Sequence, residues 1–210
     1  MKRNESDQRT LALLQAIEAR NDVTQRGLAN HLDVALGLTN SYLRRCVRKG
    51  LVKIKHAPAN RYLYYLTPRG LAEKSRLTAE YLTSSFDFYH RAGGALGDTF
   101  ATCSLRGYGR LVFAGMSEVT EIASIRLHEH ALEVVGTIDL GATVDRFLGR
   151  PVWRNVAHAP PCDAVVFTAL ADPQDLYAAL RVVYSAERIL VPDLLRPLIA
   201  PAPMPGTVTS

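Results

Sequence analysis

Cysteine is scarce in this 210-residue chain, which has three, and tryptophan scarcer still, with one. Cys46, Cys103 and Cys162 are far apart and form no Cys-x-x-Cys pair, which argues against a disulfide scaffold, a zinc ribbon and a redox couple. Each reads instead as a small buried hydrophobe, the usual use of cysteine in a reducing cytosol. Long apolar runs are missing too. No stretch approaches about 18 uncharged apolar residues, so neither a secretory leader nor a membrane span is expected, and a cytoplasmic location is. His128, His130 and His158 lack metal-ligand spacing, and no serine or cysteine sits in a nucleophile elbow, so the chain is expected to hold no metal and not to be an enzyme.

Charge is present in one place. The formal net charge is +5, but residues 1–76 hold fifteen Lys/Arg against six Asp/Glu, and residues 77–210 hold ten against fourteen. Only the first third carries a surplus of cations suited to phosphates. There Leu11, Leu13, Leu14 and Ile17 repeat at helical spacing behind Ser6 or Asp7 as a cap, and Asn21 and Asp22 end the run. Thr24 caps a second helix with Leu28 and Leu32 inward, and Asp33 turns the chain into a third, Leu36 to Lys49. In that helix Leu43 and Val47 face the core, leaving Arg44, Arg45 and Arg48 outward, and Gly50 stops it. Residues 51–55 and 61–66 then alternate as an antiparallel strand pair around a basic turn.

Helix, turn, helix and a two-stranded wing is the order of winged-helix DNA-binding domains. A reading helix needs hydrogen-bonding side chains near its start and cations beyond them, and Thr39, Asn40, Ser41 and Tyr42 precede Arg44, Arg45 and Arg48. Thr24, Gln25 and Arg26 open the supporting helix, where free amides suit a phosphate, and Lys53, Lys55 and Arg61 flank the wing. The stretch from about Thr10 to Tyr89, through TQRGLANHLDV, LTNSYLRRCVRKGLVK and YLYYLTPRGLAEKSRLTAEYL, resembles the MarR-type regulators associated with exopolysaccharide biosynthesis. That resemblance implies a dimeric cytoplasmic transcription factor for polysaccharide or cell-surface genes. One position departs from the pattern: Ala35 stands where such sequences carry a capping serine or threonine, with Asp33 as the substitute cap.

After Thr67 and Pro68 a helix with Leu71, Leu77, Tyr81, Leu82, Phe86 and Tyr89 carries more apolar surface than one winged helix covers, which predicts subunit pairing. AGGALGD, residues 92–98, reads as the domain boundary. Beyond it strands and helices alternate: residues 109–114, a glycine turn and a helix with Ile122, Ile125 and Leu127; a strand before Asp139; an irregular FLGRPVW; CDAVVFTAL; a helix capped by Asp172; and a last strand at Arg188–Val191. The turn Gly115, Met116, Ser117, Glu118, with Asp139 as the distant acid, is a degraded form of the dinucleotide fingerprint, since Ser117 and Thr120 replace its second and third glycines.

From Leu111 to Val191 the chain resembles the small Rossmann-like domains of sugar acyltransferases and of nucleotide-sugar and coenzyme A binding proteins, through GMSEVTE and FLGRPVW. The resemblance implies a nucleotide or nucleotide sugar as effector. The expected architecture is an α+β winged helix-turn-helix domain over 1–70, a linking and dimerisation helix over 71–98, a small α/β Rossmann-like domain with a parallel sheet over 99–200, and a disordered tail over 201–210. The expected function is sequence-specific binding of double-stranded DNA by a homodimer responsive to a small-molecule effector. The alternatives are a nucleotide-sugar-modifying enzyme with an accessory winged helix, and a protein-interaction adaptor.

Overall fold

Thr24 and Asp33 set the corners of the first unit in the computed structural model, which describes residues 2–57 and 61–200. The tip of the wing with Asn60, and the tail expected over 201–210, lie outside the described residues. The chain divides into two units, residues 1–86 and 87–210.

The first unit holds α1 (Lys2–Ala19), α2 (Gln25–Leu32), α3 (Leu36–Arg48), β1 (Val52–Ala57), β2 (Arg61–Leu66) and the opening turns of α4 (Pro68–Leu105). α1 begins before the expected cap: no proline or glycine stands upstream to halt it, so Ser6 and Asp7 lie inside the helix, and the Ser6 carbonyl accepts the Thr10 hydroxyl at 2.8 Å. Thr24 does cap α2, its hydroxyl accepting the Gly27 amide at 3.0 Å. Asp33, at φ 49°, closes α2 in the left-handed region and caps nothing on α3, which starts at Ala35 without a side-chain cap. β1 and β2 pair antiparallel from Val52 opposite Leu66 to Ala57 opposite Arg61.

The core of this unit gathers Leu13, Leu14 and Ile17 of α1, Leu28, Leu43, Cys46, Leu51 and Tyr64, with Leu77 of α4. Each large aliphatic side chain contributes about 1.5–3 kcal/mol by leaving water, so this cluster rather than helix propensity holds the short α2 in place. The Tyr64 amide donates to the Asn21 carbonyl at 2.9 Å, which ties the returning wing strand to the turn before α2.

The second unit is a small α/β fold with a Rossmann-like sheet. Its elements are the end of α4, β3 (Arg110–Ala114), α5 (Glu118–Arg126), β4 (Glu133–Ile138), β5 (Arg146–Phe147), β6 (Arg150–Trp153), β7 (Ala164–Phe167), α6 (Pro173–Val183), β8 (Ile189–Leu190) and α7 (Arg196–Ile199). The sheet order is β5-β6-β4-β3-β7-β8, parallel throughout except where β5 meets β6. β3 and β7 are buried along nearly their whole length, as central parallel strands covered on both faces must be.

Four expectations change here. Residues 92–98 are no linker but part of α4, where Ala92, Leu96, Phe100 and Cys103 form a fully buried helical stripe. Glycine serves packing there: a Cβ on Gly93 would come within 2.9 Å of Arg126 Nε. FLGRPVW is a hairpin, β5 turning at Leu148 and Gly149 into β6, and β6 joins the sheet beside β4. Ile125, expected inward, is exposed, because α5 ends at Arg126 and the chain tightens into a 3-10 turn at Leu127. Asp172 occupies the cap position of α6 in a left-handed conformation, with no side-chain hydrogen bond to the helix; Pro173, whose missing N–H needs no partner, starts it.

Candidate nucleic-acid interface

α3 presents two faces of opposite character. Thr39, Leu43 and Cys46 point into the core at helical spacing, while Ser41, Arg44, Arg45 and Arg48 are exposed. Thr39 was expected to read bases. It is 0% exposed, and its hydroxyl donates to the Ala35 carbonyl at 3.4 Å, so it cannot reach a partner. Asn40 is half-buried, with Oδ1 shielded from solvent and without a hydrogen-bond partner; Tyr42 is half-buried. Of the four residues expected at the head of the reading helix, Ser41 alone is freely exposed.

The cations divide likewise. Arg44 and Arg48 border a cavity of about 340 Å³ beside Gln25, Asn40 and Ile54. Arg45 is exposed but donates to the Ser6 hydroxyl at 3.2 Å, so α1 anchors it. Arg26 on α2 is exposed, as are Thr24 and Gln25; Thr24 is spent on its cap, and Gln25 Nε2 donates to the Tyr64 hydroxyl at 3.4 Å. Lys53 and Lys55 are exposed on β1, Lys55 over the Tyr65 ring with Nζ 5.5 Å from its centroid. Arg61 opens β2, but its side chain lies outside the described residues. Arg26, Arg44, Arg48, Lys53 and Lys55 are thus exposed cations on α2, α3 and β1, the elements that dock in winged helices.

Residue-type reasoning missed what stands at the head of α3: Leu36 and Leu38 are exposed on either side of Gly37. The signal was available, because Thr39, Leu43 and Cys46 at i, i+4 and i+7 fix the buried face and leave Leu38 off it.

In the second unit Gly115 turns at φ +105°, and a Cβ there would fall 2.4 Å from Ala169 Cα. Met116, Ser117 and Asp139 come together as expected, yet they satisfy one another. Asp139 accepts the Met116 amide at 2.8 Å and the Gly141 amide at 3.0 Å. Ser117 accepts the Val119 amide at 3.1 Å and donates to the Thr168 carbonyl at 2.6 Å. Thr120 donates to the Gly115 carbonyl at 2.6 Å and accepts the Ser117 amide at 3.2 Å. Glu118 is exposed and has no hydrogen-bond partner in this set. Among the described residues no cluster of His, Cys, Asp and Glu has the form of a metal site.

A family model described as winged helix-turn-helix DNA-binding matches residues 4–53. Among solved structures the chain is similar to MepR, a transcription regulator of the Staphylococcus aureus multidrug efflux pump MepA, at 24% identity, with a TM-score of 0.35 over 40% of this chain and 62% of that one. A mutant of S. aureus MepR overlaps at 23% identity, TM-score 0.34, with the same coverage. Human N-acetylserotonin methyltransferase in complex with SAM overlaps at 12% identity, TM-score 0.33, over 88% of this chain and 75% of its own. This chain thus spans less than two thirds of MepR. No curated protein matches it. The element order of the first unit is that of a winged helix-turn-helix, and the matched model covers its α1 to the start of β1.

Proposed function

We propose that the protein is a homodimeric, sequence-specific DNA-binding transcriptional regulator. The observation that carries this reading is the coincidence of Arg44, Arg48, Arg26, Lys53 and Lys55 with the exposed faces of α3, α2 and β1 in a unit of the winged helix-turn-helix kind. Cations placed so neutralise phosphates along a groove while α3 lies in it. Retention of the intact protein on duplex DNA at low ionic strength, reduced when Arg44 and Arg48 become Ala, tests it; passage without retention refutes it. That the targets are polysaccharide or cell-surface genes rests on the resemblance of residues 10–89 alone.

Pairing of two copies is supported by α4, where Tyr81, Leu82 and Phe86 are 48, 47 and 61% exposed. Aromatic and aliphatic side chains left so open on a long helix suit a second copy. For the effector, the closed turn at Gly115 is a poor receptor, since a phosphate there would displace Asp139 from Met116. A groove of about 840 Å³ elsewhere in the second unit, with Asp98, Arg106, Tyr177 and Arg196 in its lining, is of ligand size and is our choice for a small polar effector.

A further inference from the structure

We infer that α3 reads its DNA site through the methyl groups of thymine, with Leu38 as the reading side chain and Gly37 as the point where the helix backbone comes close to the bases. The inference rests on the DNA-binding reading above and adds to it a base class.

Two independent observations carry it. The first is what is exposed on the outward face of α3. Along one stripe, at i, i+3 and i+10, stand Leu38, Ser41 and Arg48, while Arg45 at i+7 is tied to Ser6 of α1. Leu38 is 38% exposed, and the polar neighbour expected to read bases, Thr39, is buried. The head of the helix thus offers an apolar side chain where a groove-reading helix meets base edges, while Arg48 follows where phosphates run. In the major groove the one apolar group is the C5 methyl of thymine, and an exposed aliphatic side chain among cations is complementary to it and to no other base edge.

The second observation is Gly37. It is the second residue of α3, its φ is ordinary, and a Cβ added to it would meet nothing within 4 Å. Neither backbone geometry nor internal packing requires glycine there, and glycine weakens a helix relative to alanine. Beside Leu38, on the face that carries Arg44 and Arg48, a position without a side chain leaves room for close approach of an external partner. The partner committed to is duplex DNA, because the same face carries Arg44 and Arg48, and the winged-helix family match covers it.

The test uses the full chain and a preferred site selected from randomised duplexes. Each thymine of that site is then replaced by deoxyuridine, which removes the methyl and keeps the base pair. At one or two positions the affinity falls about fourfold, the equivalent of about 0.8 kcal/mol for one buried carbon, and Leu38→Ala abolishes this discrimination while still binding. Gly37→Ala weakens binding without lowering Tm. A selected site indifferent to every deoxyuridine replacement, or a Leu38→Ala protein that discriminates as before, overturns the inference while leaving DNA binding intact. Failure to retain any duplex at low salt overturns both readings.

Discussion

The carboxylate of Asp139 accepts the amide of Met116 at 2.8 Å, spanning from the end of β4 to the turn that follows β3. β3 lies between β4 and β7 in the sheet, at the point where strand order reverses and where a dinucleotide would enter an open α/β fold. The turn after β3 is stitched to the segment after β7 as well, by the Ser117 hydroxyl donating to the Thr168 carbonyl, with the hydroxyls of Thr120 and Thr168 3.0 Å apart. The amides of Met116, Ser117 and Val119, which would face a pyrophosphate at this turn, are already partnered by side chains of the protein itself.

With these amides occupied, NADH and NAD+ leave the thermal midpoint of the protein unchanged, whereas Asp139→Ala lowers it. The substitution leaves two amides, those of Met116 and Gly141, without their acceptor, at a cost of about 1–3 kcal/mol for each that stays dry. Differential scanning fluorimetry of the two proteins with and without dinucleotide checks both statements.

Two glycines of α4 respond oppositely to the same change. A Cβ on Gly70 would stand 2.0 Å from the Leu51 carbonyl oxygen, a backbone atom unable to yield, so Gly70→Ala forces the start of α4 off the wing and destabilises the first unit by about 1–3 kcal/mol or more. At Gly94 nothing lies within 4 Å, and Gly94→Ala stabilises by about 0.5–1 kcal/mol through helix propensity. Urea unfolding of both variants separates the cases.

Burial pushes the thiols of Cys46 and Cys103 up to about 11 from an ordinary 9.0. At pH 8 the folded protein is therefore inert to a thiol reagent, and all three cysteines react once it is unfolded. Because the unfolded chain releases these protons first, stability is unaffected below pH 9 and declines between about 9 and 11. On the acid side the amides of Arg110 and Gly109 hold the Asp163 carboxyl below its ordinary range. Its contribution is present above the usual carboxylate pKa and is lost as pH falls through the depressed value. Asp163→Asn removes that part of the acid dependence, and a pH series of melting curves reads both arms.

Phe86→Glu places a charge in the exposed apolar stretch of α4 and is expected to convert dimer to monomer in analytical ultracentrifugation, with the fold retained by circular dichroism. A protein that is monomeric before the substitution contradicts the pairing.

Much of this was legible in local chemistry. The Thr24 cap, the turn at Asp33, the left-handed Gly50, the antiparallel wing pair and the Thr67-Pro68 start of α4 each depend on one or two residues whose preferences are strong. The boundary was misread because three glycines in AGGALGD look like a linker in isolation. The stripe Ala92, Leu96, Phe100 and Cys103 extends beyond that window, and its burial depends on the sheet that follows. The reading helix was misjudged for the opposite reason. Residue type favoured Thr39 as a reader, but facing direction, set by Leu43 and Cys46, decides what is exposed. The β5–β6 hairpin was hidden because β5 is two residues long, too short for any alternation to register.

The salt dependence of duplex binding tests the central claim most directly, because it counts the phosphates that the basic face of α3 and the wing neutralise. Log affinity against log salt is expected to be linear, with its negative slope reduced by about one for each of Arg44 and Arg48 replaced by Ala. A slope unchanged by both replacements, or no measurable affinity for duplex DNA at low salt, would contradict it.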